Sequence, residues 1–215
     1  MSQSSPAGSP LSAALEIAAF LEDEGIPYVI LGGLAVHYWG EPRATRDVDI
    51  TVMVPREAVD SFFARVLEKC EPRIEGALEF AHRHRVLLVR HKDGTPIDIS
   101  LAIPGYEEEV MRRARPVEWP GGGRLQLISP EDLIIHKCVA ARPRDLEDVK
   151  AILIRQKGKL DLPYIRRWLE EFALALPERN PRELFDLIFT QANPEPDAPE
   201  PETRCLTHFD NKEEP

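Results

Sequence analysis

Cysteine is scarce in this sequence: Cys70, Cys138 and Cys205 stand far apart, with no pair at metal-ligand or redox spacing. So sparse and odd a set excludes a disulfide-stapled scaffold and reads as reduced thiols, the expectation for a cytoplasmic protein. Long apolar runs are also lacking. None approaches the ~20 residues that span a bilayer, so no membrane partner is expected. The first residues, MSQSSPAGSP, hold neither a basic stretch nor an apolar signal core. No Gly-x-Ser-x-Gly stretch offers a nucleophilic serine, and Cys138 falls within an apolar helix face. Positive charge is in deficit. The formal net charge is −10, of which −5 lies between Gln191 and Pro215, where seven acids face two bases. A globally basic nucleic-acid binder is not what this composition describes, although a local basic groove is compatible with it.

What is present has a clear order. Residues 1–10 are rich in Ser, Pro and Gly and are expected to be mobile. Leu11–Glu24 shows helical recurrence, and Gly25 closes it. Pro27–Leu31 reads as a buried strand, and Gly32-Gly33 breaks it before a short helix that ends at Gly40. After the loop EPRATR, residues 47–54 (DVDITVMV) form a β-rich run, and Pro55 opens a helix to Lys69. Strands are expected over 85–91 and 95–103, joined by a Lys92-Asp93-Gly94 hairpin turn. A helix follows over 106–115, then a Gly-Gly-Gly loop and a strand over 124–128. From Ser129 the pattern becomes helical, with a Ser cap, a Pro in the first turn and two acids behind it. Helices are expected at 130–141, 144–156, 163–176 and 181–191. The fold class is α+β: a mixed sheet flanked by helices over 11–128, a small helical bundle over 129–192, and a disordered Pro/Glu-rich tail over 193–215. There is no internal repeat.

Three acids carry the chemistry. Asp47 and Asp49 are two apart on the expected strand, so both side chains point the same way. Asp98, in PIDIS, sits on another expected strand, and if the two strands are neighbours it joins the pair. Converging carboxylates repel and raise one another's pKa values. A hard divalent cation removes that conflict, and magnesium takes oxygen ligands. Two such ions ~3.5–4 Å apart bridge a triphosphate in known two-metal sites. Taken alone, an Asp-x-Asp pair is common on solvated strands. Here strongly apolar neighbours make it unusual. Gly32-Gly33 closes a strand and opens a helix, which lets backbone N–H groups and a helix N-terminus approach a phosphate, although a tight structural turn is the commoner cause of such a pair.

In combination, LGGLAVHYWGEPRATRDVDITV and the later PIDIS resemble the DNA polymerase beta-like nucleotidyltransferase superfamily. That superfamily's motif is a glycine turn, a helix, Asp-x-Asp/Glu and a third strand acid. Within it the chain looks most like the AbiEii-type, toxin-like branch, through Arg43-Ala44-Thr45-Arg46-Asp47-Val48-Asp49. The resemblance continues through SPEDLIIHKCVAARPRDLEDVKAIL and covers residues 25–155. It implies a nucleoside triphosphate substrate held at Gly32 and Gly33, and magnesium, as two ions, on Asp47, Asp49 and Asp98. It implies that Lys137 reaches the triphosphate and that Asp148 assists the site or holds Lys137. It also implies an acceptor hydroxyl on RNA or protein, and a cognate antitoxin as partner. Thr45 either hydrogen-bonds phosphate or caps the strand entry; Arg46 either binds phosphate or neutralises the acids. A surface lysine and a solvated helix acid are the bland alternatives for Lys137 and Asp148.

Other residues read more plainly. His82-Arg83-His84-Arg85 is an exposed basic segment without a second ligand set. His37, Tyr38, Trp39 and His136 are core-type residues, and Trp168, Leu169, Phe172 and Leu176 form a stripe that buries the bundle. Two rivals to an active transferase stay open at this point: a non-catalytic nucleotide- or partner-binding module of the same fold, and a metal-dependent phosphohydrolase.

Overall fold

The computed structural model describes residues 9–120, 122–176, 178 and 180–193. The flexible N-terminus expected at 1–10 falls almost wholly outside them, and so does the disordered tail expected from 193, Cys205 included. Helix α1 (Pro10–Asp23) is followed by strand β1 (Tyr28–Leu31), helix α2 (Gly32–Trp39) and strand β2 (Val48–Val52). Then come α3 (Val59–Lys69), the two-residue strand β3 (Glu71–Pro72), α4 (Ala77–His84), β4 (Val86–Arg90) and β5 (Pro96–Leu101). Helix α5 (Tyr106–Arg112), β6 (Arg115–Glu118) and β7 (Arg124–Leu127) complete the sheet half, and α6 (Pro130–Ala140), α7 (Pro143–Arg155), α8 (Leu162–Ala175) and α9 (Pro181–Ala192) follow. No helix is long and apolar enough to cross a membrane among the described residues.

The seven strands lie in the order β3-β4-β5-β2-β1-β7-β6. β2 pairs with β5 and β1 with β7 in parallel, and the other neighbours are antiparallel. Strand alternation sorts the side chains onto two faces. Val48, Ile50 and Val52 of β2 and Ile97, Ile99 and Leu101 of β5 join one core with Leu87 and Val89. Helices α1, α3 and α4 cover that face through Ala14, Ile17, Leu21, Phe62, Phe63 and Ala81. A second core holds Val29 and Ile128 against α2 and the four C-terminal helices. It takes no side chain from β2 or β5, so that strip of the second face carries Asp49, Thr51, Asp98 and Ser100. A polar patch is thereby set inside an otherwise apolar sheet.

The C-terminal helices start where their caps dictate. Ser129 Oγ accepts from the Asp132 amide at 3.1 Å, Asp161 from Tyr164 at 3.0 Å, and Asn180 from Arg182 and Glu183 at 3.1 Å. Each of these helices has proline in its first turn, where no backbone donor is lost. Sequence and structure part company in three places. The segment His82–Arg85 is exposed, as expected, but the helix that carries it is not announced by the sequence pattern. That helix, α4, is bracketed by left-handed Gly76 (φ 67°) and Arg85 (φ 60°). The helix expected over 106–115 stops at Arg112, because Arg115 begins edge strand β6. The strand expected from 47 begins at Val48.

Candidate active site

Gly32 sits where β1 hands over to α2, with φ +62°, a backbone conformation glycine adopts without strain. Its neighbour Leu31 pairs with Asp49 across the β1–β2 ladder. The carboxyl of Asp49 therefore lies against the turn: a Cβ on Gly32 would stand 1.8 Å from Asp49 Oδ2. At Gly33 a Cβ would meet Thr45 Oγ1 at 2.2 Å. Both glycines thus have a steric reason: bare backbone makes room for a carboxylate and for the loop that precedes it.

In the parallel β2–β5 ladder, Asp49 stands opposite Asp98. Neighbouring strands run about 4.8 Å apart, so the two acids share one spot on the sheet. Asp47 is not a strand residue, as the sequence pattern had it. It lies in the bend just before β2 and is exposed. Thr45 Oγ1 donates to Asp47 Oδ1 at 3.0 Å, which fixes the bend. Asp47 still acts on the pair electrostatically. Burial pushes the Asp49 carboxyl up to about 6, and the charges of Asp47 and Asp98 push the same way, against a weaker pull from Lys137 and Arg142. Asp98 is raised as well by burial, while the Arg73 guanidinium opposes the shift.

Asp98 Oδ1 is buried and lacks an aligned hydrogen-bond donor, although Arg73 Nη2 stands 2.8 Å from it. Among the described residues, no group of three or more His, Cys, Asp or Glu side chains is arranged as a metal cluster. Asp49 and Asp98 are paired in register, Thr45 engages Asp47, and Arg73 faces Asp98. The donor set nevertheless suits a hard divalent ion. It offers carboxylate oxygens only, one of them buried without an aligned donor, beside an acid whose ionisation burial and like charge oppose.

Lys137 does not hang free toward a phosphate. It is buried on α6, and its Nζ donates to Asp145 Oδ1 at 3.0 Å and Asp148 Oδ2 at 2.7 Å, both on α7. Asp148 also accepts two bonds from Arg43, each 2.9 Å, in a bidentate pair. Arg142 Nε donates to Asp145 Oδ2 at 2.9 Å. The loop before β2 is thus latched to the helical half through Asp148, whose position holds Lys137. Arg46 is exposed. His82 lies on α4, whose apolar side packs under the opposite face of the sheet, and it pairs with Asp60 at 3.1 Å.

Three residues of this neighbourhood do not stand out as site residues in the sequence. Arg43 and Asp145 belong to the stretches that carried the family resemblance, and their charge opposite a lysine was the available signal. Arg73 gave none, because the two-residue strand that places it has no readable alternation.

Several known proteins are similar to this chain. The antibiotic-resistance factor ANT(2'')-Ia superposes with a TM-score of 0.51 at 16% identity, over 78% of this chain and 95% of that one. An antigenic nucleotidyltransferase-like protein from Paracoccidioides brasiliensis gives 0.49 at 20% identity, over 78% and 88%. The MenT4 nucleotidyltransferase toxin from Mycobacterium tuberculosis gives 0.42 at 18%, over 71% and 59%. The first of these likenesses speaks for the shared fold. No curated protein matches the chain. The family described as nucleotidyl transferase of unknown function (DUF2204) matches residues 11–182. That span takes in the whole sheet, the diglycine turn, all three acids and α6–α8, and on it this chain belongs to the nucleotidyl transferase family and is an enzyme of that class.

Proposed function

We propose that this enzyme transfers a nucleoside monophosphate from a nucleoside triphosphate to a hydroxyl of RNA or protein, with magnesium, and releases pyrophosphate. The observation that carries the reading is the parallel register of Asp49 with Asp98 beside a turn that only bare backbone can make. The triphosphate lies across Gly32-Gly33, where the amides at the start of α2 face it. Magnesium held by Asp47, Asp49 and Asp98 would neutralise the phosphate oxygens and lower the charge barrier to attack. Asp98 orients the acceptor hydroxyl and takes its proton. The acceptor oxygen bonds to the α-phosphorus as the bond to the β-phosphate oxygen breaks. Lys137, positioned by Asp145 and Asp148, contributes positive charge next to the acids, and Thr45 holds Asp47 in place. Arg46 is free to meet a phosphate. Most of the rate enhancement comes from positioning and charge. The acceptor class rests on the resemblance in RATRDVD, as does a toxin role with a cognate antitoxin.

The test is label transfer from each of the four α-labelled nucleoside triphosphates, with magnesium, to total RNA, total protein and an aminoglycoside. Label in RNA or protein with matching pyrophosphate is the expected result. Label in the aminoglycoside alone would move the acceptor to small molecules. Pyrophosphate from none of the reactions would remove the transferase reading, and phosphate release alone would favour a phosphohydrolase.

The diglycine turn supplies a second test. In Gly32→Ala the new methyl group collides with Asp49 Oδ2 at a φ of +62°. Strain of about 1–2 kcal/mol is expected from the backbone alone. Pyrophosphate release should drop by roughly a hundredfold or more, since a misplaced catalytic group of about 1 Å costs that much. Far-UV circular dichroism should stay unchanged. A variant with native turnover would show that Asp49 is not held in its working place by the turn.

A further inference from the structure

Arg73 stands just past β3, and its amide donates to the Leu88 carbonyl of β4 at 3.0 Å. Leu88 in turn faces Asp98 in the antiparallel β4–β5 ladder. The sheet therefore passes the guanidinium across one strand and sets Nη2 2.8 Å from Asp98 Oδ1. The guanidinium is poorly aligned for a hydrogen bond along that contact, and among the described residues Oδ1 has no other donor. What joins the two groups is chiefly charge at short range, which is undemanding in geometry and can be given up. The Arg73 side chain is 24% exposed, and its backbone anchor is an edge strand of two residues. Both features leave it room to swing.

We infer that Arg73 is a resident counter-cation for Asp98. It sits on the carboxylate oxygen that a divalent ion needs, and that ion binds only as the guanidinium leaves. Arg73 is in this sense a positioning residue, acting through Asp98, and the inference rests on the metal-dependent reading above. Among the described residues no arginine or lysine forms an ion pair with Asp49, so metal loads unevenly, at Asp49 first. A displaced guanidinium needs an anion, and the phosphates of the incoming nucleotide supply one. Metal loading at Asp98 is thus tied to nucleotide arrival.

The experiment is Mn2+ binding, followed by electron paramagnetic resonance on the full chain, without and with a non-hydrolysable ATP analogue. Arg73→Ala and Arg73→Gln should bind Mn2+ alone on the order of tenfold more tightly than the native chain, the size expected when one nearby opposite charge is lost. The gain should vanish in Arg73→Ala combined with Asp98→Asn, and should shrink when the analogue is present. Arg90→Ala, which removes an exposed charge from the same strand neighbourhood, should leave the affinity unchanged. Thermal melting monitors folding of each variant. Equal or weaker Mn2+ binding in both Arg73 variants, with binding still lost in Asp49→Asn, overturns the inference alone. A gain that survives in the double variant, or appears equally in Arg90→Ala, overturns it too. No Mn2+ bound by any chain, with or without the analogue, overturns both the inference and the metal-dependent reading.

Discussion

Asp49→Asn is expected to cut nucleotidyl transfer about a thousandfold, the scale of losing one preorganised charge at the reacting phosphate, and at the same time to make the metal-free protein more stable at pH 7.5. The second effect follows from the first group's surroundings. Burial, Asp47 and Asp98 lift the Asp49 carboxyl from its ordinary 3.8 to about 6. A carboxyl raised by folding binds its proton more tightly in the native state. It stabilises the fold below pH 3.8, and that contribution is lost as the pH rises through about 6. At pH 7.5 the ionised group therefore opposes folding, by roughly 3 kcal/mol for a shift of this size. Asparagine keeps the shape and removes the charge. The melting temperature in EDTA should rise by about 5 °C or more at pH 7.5, and the gain should shrink as the pH falls toward 4. A variant that melts lower than the native chain at pH 7.5, or that retains a tenth of its turnover, would contradict the placement of Asp49 among like charges.

Asp132→Ala should be the most damaging substitution for the fold itself. Asp132 is wholly buried at the start of α6. Its Oδ1 accepts from Tyr106 at 3.0 Å and Tyr164 at 2.6 Å, and its Oδ2 from Ser129 at 2.5 Å and Arg113 at 3.3 Å. Arg113 also pairs with Glu131 at 3.2 Å and stacks on the Tyr164 ring at 3.8 Å. One carboxylate thus joins α5, α6 and α8. Alanine leaves a mostly buried guanidinium short of one partner and two tyrosine hydroxyls without acceptors. Breaking a buried pair in this way costs about 3–5 kcal/mol, or on the order of 10 °C in melting temperature for a chain of this size. Urea unfolding measures it. A loss below about 1 kcal/mol would mean that Arg113 and the tyrosines find other partners.

What the sequence showed and what it hid divide by range. The two glycines, the acids and the C-terminal helix starts were readable because each depends on neighbours within a few residues. Ser129-Pro130 is such a case: cap and proline are adjacent, and the helix begins there. The β2 and β5 strands were readable as runs, and the parallel pairing that sets Asp49 opposite Asp98 emerged only in three dimensions. Asp47 reads as a strand residue because apolar alternation continues to Val48 and says nothing of the Thr45 hydrogen bond in the bend. Arg73, Arg113 and the two tyrosines on Asp132 were invisible for a different reason. Their partners lie 19 to 32 residues away, so only packing reveals the match. Lys137 illustrates both sides: its helix was legible, but its double engagement by Asp145 and Asp148 was not.

The order of the strands also bears on how the molecule behaves in a crowded solution. Its outermost strands are β3, with two residues, and β6, with four, and each contains a proline: Pro72 and Pro116. A proline margin has no amide to offer an incoming backbone, and a two-residue margin has almost no template. Lateral growth of the sheet into fibres or swapped assemblies is therefore discouraged on both sides, while the acidic centre stays inside the sheet, with β4 between β5 and one rim and β1 and β7 between β2 and the other.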